Sequence, residues 1–251
     1  MAGMVLVVSA VLTSCNGNLR GLAGDAGPRV TESRSLKGFE EIEISGSPSV
    51  YYTQADSFSV RVVGPEAYVE NILTEVDGKT LKIRNRGKMG IVNFTADYDD
   101  AGVYVTSPDL TALLLSGSGD FESDRRVDTD RLSIILRGSG DIDFKDIICD
   151  RCEMELIGSG DLDIDRLESQ QSKATLVGSG DIKVTQWNVT DTDVSLRGSG
   201  DIVIRFVEGC GSARCQLTGS GDITLSGRLG HFSGEKHGSG DIDIDKLSVE
   251  K

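Results

Sequence analysis

The sequence predicts an all-β fold, a parallel β-helix (β-solenoid) built from stacked coils. Three observations predict it. The tetrapeptide Gly-Ser-Gly-Asp begins at Gly117, Gly138, Gly158, Gly178, Gly198, Gly219 and Gly238, in steps of 21, 20, 20, 20, 21 and 19 residues. Apolar residues flank every copy at alternate positions. The composition is rich in glycine (31 residues) and poor in proline (4) and aromatic residues (5%), which suits short strands joined by tight turns.

The chain opens with an apolar run, Met4 to Leu12, followed by Leu12-Thr13-Ser14-Cys15. The run is shorter than the roughly 20 residues a membrane-crossing helix needs, and it fits the apolar stretch of a secretory signal. Small residues before a cysteine resemble a bacterial lipobox, so residues 1–15 are expected to be a lipoprotein signal with Cys15 as the lipidated residue. No Lys or Arg precedes the run, which departs from the usual signal; cleavage by the ordinary peptidase and a buried N-terminal strand are the other readings. Residues 16–35 are rich in Gly, Asn and Ala and read as a flexible tether.

Residues 36–251 form the expected folded domain. Phe39 to Ile44 alternates like a strand, and Gly46-Ser47-Pro48 looks like a degenerate repeat corner. Val50 to Thr53 and Phe58 to Val63 continue as strands. Pro65 to Leu73 has helical features, with Pro at the start and Tyr68, Val69, Ile72 and Leu73 on one side. Thr80 to Arg84 and Val103 to Thr106 are further strands. Together they form an irregular N-terminal cap or first coils.

The regular repeats span 110–245. Leu115, Leu136, Leu156, Leu176, Leu196 and Leu217 stand two residues before the motif. Leu113, Ile134, Met154, Ala174, Val194 and Cys215 stand two residues earlier still. After each Asp come Phe121, Ile142, Leu162, Ile182, Ile202, Ile223 and Ile242, then a second apolar position two residues on. A spacing of two means strands with one buried face. A third inward position is expected at Ile147, Leu167, Trp187, Val207 and Leu247. A period near 20 is too short for helical crossovers, so the coils stack like upon like about 4.8 Å apart. Gly234 and Lys236 interrupt the apolar columns in the final repeat and read as a C-terminal cap.

The repeated Asp120, Asp141, Asp161, Asp181, Asp201, Asp222 and Asp241 become a carboxylate ladder in such a stack. The structural account is that each carboxylate accepts hydrogen bonds from turn amides or the neighbouring serine. The functional account is a divalent cation, Ca²⁺ being the natural ion for oxygen ligands, between adjacent carboxylates. Outward positions beside the motif (Asp143, Asp163, Lys183, Val203, Thr224 and Asp243) change character along the column, as a face of mixed chemistry or a solvated strand face does. Cys149 and Cys152 form C-x-x-C, and Cys210 and Cys215 lie three repeats later. Three coil steps, about 14 Å, separate the pairs too far for one zinc ion. The cysteines read as structural, either bridged within each pair or buried as thiols. His231 and His237 belong to no catalytic constellation in the sequence.

The net charge of −14, with no basic stripe, disfavours nucleic acid and anionic membrane surfaces as partners. F-E-E-I-E-I-S-G at 39–46, V-x-V-x-x-P-x-A-Y-V from Val60 to Val69, and L-T-A-L-L-L-S-G-S-G-D at 110–120 resemble the head GIN domain of autotransporter adhesins. The resemblance spans roughly 36–249. It implies a right-handed solenoid on exported, often lipid-anchored proteins, and it carries over no catalytic residues. The expected function is a noncatalytic, adhesin-like lipoprotein of the cell envelope, at the outer membrane, with its membrane contact through the lipid and a glycan or envelope protein as partner. A carbohydrate-active β-helix enzyme and a structural spacer are the alternatives.

Overall fold

The computed structural model describes residues 28–87 and 101–250. Cys15 and the signal and most of the tether lie outside them. The irregular part runs β1 (Arg29–Arg34), β2 (Glu41–Gly46), β3 (Val50–Gln54), β4 (Ser59–Pro65), helix α1 (Glu66–Asn71), β5 (Ile72–Asp77), β6 (Thr80–Asn85) and β7 (Gly102–Ser107). The regular part runs β8 (Ala112–Gly117), β9 (Phe121–Gly138), β10 (Ile142–Gly158), β11 (Asp161–Gly178), β12 (Asp181–Trp187), β13 (Asp191–Gly198), β14 (Ile202–Glu208), β15 (Ser212–Gly219), β16 (Ile223–Leu229), β17 (His231–Gly238) and β18 (Ile242–Val249). Among the described residues no helix is long and apolar enough to cross a membrane.

Each coil has two arms. The arm leading into the Gly-Ser-Gly-Asp corner stacks in parallel from β2 through β8, β13 and β15 to β17. The arm leaving it stacks from β3 through β9, β12, β14 and β16 to β18. The long strands β9, β10 and β11 each contain a leaving arm and the next approaching arm in one run. In register, Leu136, Leu156, Leu176 and Leu196 lie directly over one another, as do Ile142 and Leu162. All are buried, so the core is a narrow file of aliphatic ladders between the arms. Gly46 stacks beneath Gly117, which makes Gly46-Ser47-Pro48 the first corner of the series.

The corner sequence follows from this stacking. The first glycine of each motif has positive φ, +144° at Gly158, a region L side chains avoid. A Cβ on the second glycine, Gly160, would overlap the carbonyl oxygen of Gly140 in the coil below. The Ser159 amide donates to the Gly138 carbonyl at 2.9 Å, so the corners hydrogen-bond to each other as the strands do.

The N-terminal end departs from the stack. β6 pairs in parallel with β2 and β7 with β3, extending both arms backwards although they come later in the chain. β5 then pairs antiparallel with β6, β4 with β7, and β1 with β4. The helix links β4 to β5 and buries Val69. It is shorter than the sequence suggests, because Ile72 already starts β5. These antiparallel strands close the end at which the chain enters.

The third inward position differs from the expected one in the later coils. Ile147 and Leu167 are buried as expected, whereas Gln186 and Phe206 replace Trp187 and Val207 inside. In β10 two residues face outwards between Phe144 and Ile147, and in β11 two do so between Ile164 and Leu167. β12 and β14 lack this irregularity and alternate strictly, so the inward residue comes one position sooner. Trp187 therefore lies half-buried on the outside, with the Arg166 guanidinium 4.7 Å from its ring centroid.

Candidate functional site

The Asp column lies at the corner, and its hydrogen bonds connect coils. The amide of Asp161 donates to Oδ1 of Asp141 at 3.0 Å, Asp181 to Asp161 at 3.1 Å, Asp201 to Asp181 at 3.1 Å, and Asp222 to Asp201 at 2.9 Å. Asp241 closes the upper end on Asp222 at 2.7 Å, and Asp120 at the lower end accepts from Asp141 at 3.4 Å and from the Ser49 hydroxyl at 3.3 Å. The donor is one coil away rather than within the same turn. The six carboxylates from Asp120 to Asp222 thus each serve a backbone donor, and Asp241 accepts from Lys236 Nζ at 2.6 Å, which offsets part of their mutual repulsion. Among the described residues, no three His, Cys, Asp or Glu side chains gather as a metal-holding group.

Beside the ladder, the leaving arm carries Tyr104, Tyr51, Glu122, Asp143, Asp163 and Lys183 in one outward column. The two tyrosine rings stack at 5.0 Å, with Arg61 over Tyr104 at 5.5 Å. Burial, then the carboxylates of Asp163, Asp141, Asp120 and Asp165, raises Asp143 above its ordinary value. Burial also raises Asp163, against the opposing pull of Lys183.

The second corner, between the leaving arm and the next approaching arm, has polar and sulfur groups inside. Cys149 and Cys152 face inwards on either side of it, and Cys210 and Cys215 occupy inward positions further along. All four are buried free thiols in this structure. The hydrogen bond to Cys149 and then burial raise the Cys152 thiol, and burial pushes Cys215 up to about 12. Gln186 bridges the interior: its Nε2 donates to Ser172 Oγ at 2.9 Å, and Thr192 Oγ1 donates to its Oε1 at 2.7 Å. The sequence reading missed this polar column, because Ser172 and Thr192 look like solvated strand residues.

Outside that corner the approaching arms form a groove of about 480 Å³. One column along it reads Arg151, Gln171, Asp191, Ser212 and His231. The next reads Glu153, Lys173, Asp193 and Arg214, alternating in charge. Arg151 reaches Glu153 at 3.3 Å and also Gln171; Arg214 reaches Asp193 at 3.2 Å, and Ser212 reaches Asp191 at 2.7 Å. A second hollow of about 230 Å³ continues it past Thr175, Ser195 and Gln216. The surface therefore offers donors and acceptors at each coil step, aligned with the coil axis. Its exposed ion pairs exchange partners at little cost, since such pairs contribute about 0–1 kcal/mol.

A family model described as "Putative auto-transporter adhesin, head GIN domain" matches residues 38–210 and 176–251. The chain belongs to this head GIN domain family. The family is described by an adhesive role, which implies an exported or envelope-associated protein. Solved structures share the fold of this head GIN chain. A "putative adhesin" from Bacteroides fragilis is 23% identical, with a TM-score of 0.75 over 89% of this chain and 97% of its own. A "putative lipid binding protein" from Parabacteroides distasonis is 22% identical, with a TM-score of 0.64 over 90% and 98%. A "putative adhesin" from Parabacteroides merdae is 16% identical, with a TM-score of 0.61 over 90% and 97%. No curated protein matches the sequence.

Proposed function

We propose that this head GIN protein is a noncatalytic, adhesin-like protein of the cell envelope, anchored through a lipid on Cys15. It presents the grooved outer face of its approaching arms to an extended, hydroxyl-rich polymer such as an envelope glycan. The observation that carries this reading is the two-column groove from Arg151 and Glu153 to Arg214 and His231, whose polar groups repeat at every coil. A polymer lying along the coil axis meets the same spacing of donors and acceptors over several residues, and avidity accumulates with length. The lipobox-like Leu12-Thr13-Ser14-Cys15 supports the lipid anchor, and the outer membrane is the location proposed for it.

The test is a glycan array and an envelope-extract pull-down with the wild type and an Arg151→Ala, Lys173→Ala, Arg214→Ala triple variant. Retention by the wild type and its loss in the variant is the expected result. Retention by neither protein leaves the structural spacer as the function. Release of reducing ends or unsaturated uronates from a retained glycan would instead make the chain a carbohydrate-active β-helix enzyme. Detergent-phase partitioning tests the anchor: Cys15→Ala should move to the aqueous phase, and continued detergent partitioning would rule out lipidation there.

A further inference from the structure

The last coil has an asymmetric open end. Among the described residues, β17 pairs only with β15 and β18 only with β16, so both present a free edge. The inward residues of β17 include Gly234 and Lys236, which fits a polar cap. Those of β18 do not: Ile242, Ile244, Leu247 and Val249 continue the apolar columns of the coils below. Ile244 and Val249 are each 39% exposed, and Ile242 and Leu247 are half-buried. A solenoid end usually carries polar groups against further pairing. Here one arm is protected and the other is not.

The residue pattern of β18 identifies the occupant. Ile242-Asp243-Ile244-Asp245-Lys246-Leu247-Ser248-Val249 is a palindrome in chemical type, centred between Asp245 and Lys246. Set antiparallel to itself about that centre, Ile242 faces Val249, Ile244 faces Leu247, Asp243 faces Ser248, and Asp245 faces Lys246. Every apolar residue meets an apolar one and each acid of the central pair meets a base. A two-fold axis perpendicular to the strands brings two ends together with their strands antiparallel. Of the two ways to do this, pairing β18 with β17 would set the apolar column against Gly234 and Lys236. Pairing β18 with β18 joins like to like.

We propose that two copies of this chain associate end to end through β18, in the register that pairs Asp245 of each copy with Lys246 of the other. At the centre the Asp245 amide is already taken by the Asp243 carboxylate at 2.9 Å, so side chains carry the middle of the contact and backbone bonds its flanks. An eight-residue edge is about 26 Å long, and over a width of about 10 Å the two ends bury on the order of 500 Å² in all, the scale of a weak contact. That area supports a reversible dimer. Because β1 enters at the opposite end of the stack, the tethered ends of such a pair point away from each other. The contact involves none of the groove residues offered to a glycan, apart from the neighbouring strand of His231, so either reading can fail alone.

The experiment is sedimentation equilibrium of the full chain across a hundredfold range of concentration. The wild-type mass should rise from that of the monomer towards twice that value. Asp245→Lys and Lys246→Asp each set like charges together twice per dimer and should weaken association at least tenfold. Neither residue is buried, so the variants should melt as the wild type does. Mixed in equal amounts, the two variants restore both opposite-charge pairs and should form a heterodimer of wild-type strength. A wild type that stays monomeric, or variants that dimerise as strongly as the wild type, would overturn the proposal. So would a mixture that associates no better than its components.

Discussion

The Asp161 amide and the Asp141 carboxylate, 3.0 Å apart, form one rung of a ladder that ties each corner to the next. The acceptor, rather than the charge, is what the amide needs. Asp141→Asn keeps an oxygen in place and should change unfolding free energy by under about 0.5 kcal/mol, whereas Asp141→Ala should cost about 1 kcal/mol. Urea unfolding of the two variants side by side checks this. Equal losses would show that the carboxylate acts through its charge.

Gly160 has no space for a methyl group, because its Cβ would overlap the Gly140 carbonyl. Gly160→Ala must push two coils apart or break the corner hydrogen bonds. It should cost about 3 kcal/mol or more, read as a lowered melting temperature. Ser159→Ala, on the exposed residue beside it, should be close to neutral by the same measurement.

Gln186 is fully buried and satisfies both Ser172 and Thr192. Gln186→Leu fills a similar volume but leaves two hydroxyls without that partner. It should destabilise by about 2 kcal/mol, and adding Ser172→Ala and Thr192→Val should recover part of the loss. A triple variant no more stable than the single one would count against the network.

Asp143 is raised by burial and by its carboxylate neighbours, so the folded state keeps this proton after the unfolded chain has released it. Its contribution favours folding at low pH and is lost as pH rises from the unfolded value, near 4, through the higher folded one. Asp143→Asn should therefore melt higher than the wild type at neutral pH, and the gap should close as pH falls towards 4. Melting curves over that range decide it.

The repeated corners, the Leu ladder and the Ile ladder were legible because a fixed period turns weak local signals into one strong one. The cap was legible only in outline. Its strands appear in the right places, but β6 and β7 stack beneath β2 and β3 by contacts distant in sequence. Trp187 marks where counting by twos fails. A single irregularity present in β11 and missing in β12 decides whether residue 186 or 187 turns inwards, and nothing in the composition of those strands announces it. The groove was the least legible feature, since Arg151, Lys173, Asp193 and Arg214 become neighbours only once the coils are in register.

The paired glycines of each corner also bear on how such a molecule changes over evolutionary time. Because every corner fits only a bare backbone above and below, all corners have nearly the same shape, and one coil is an interchangeable part. Duplicating the stretch from Gly158 to Val177 would insert a whole coil whose neighbours meet the same glycines as before. The length of the stack between β1 and β18 is then a copy number, adjustable in increments of about 4.8 Å without redesigning either end.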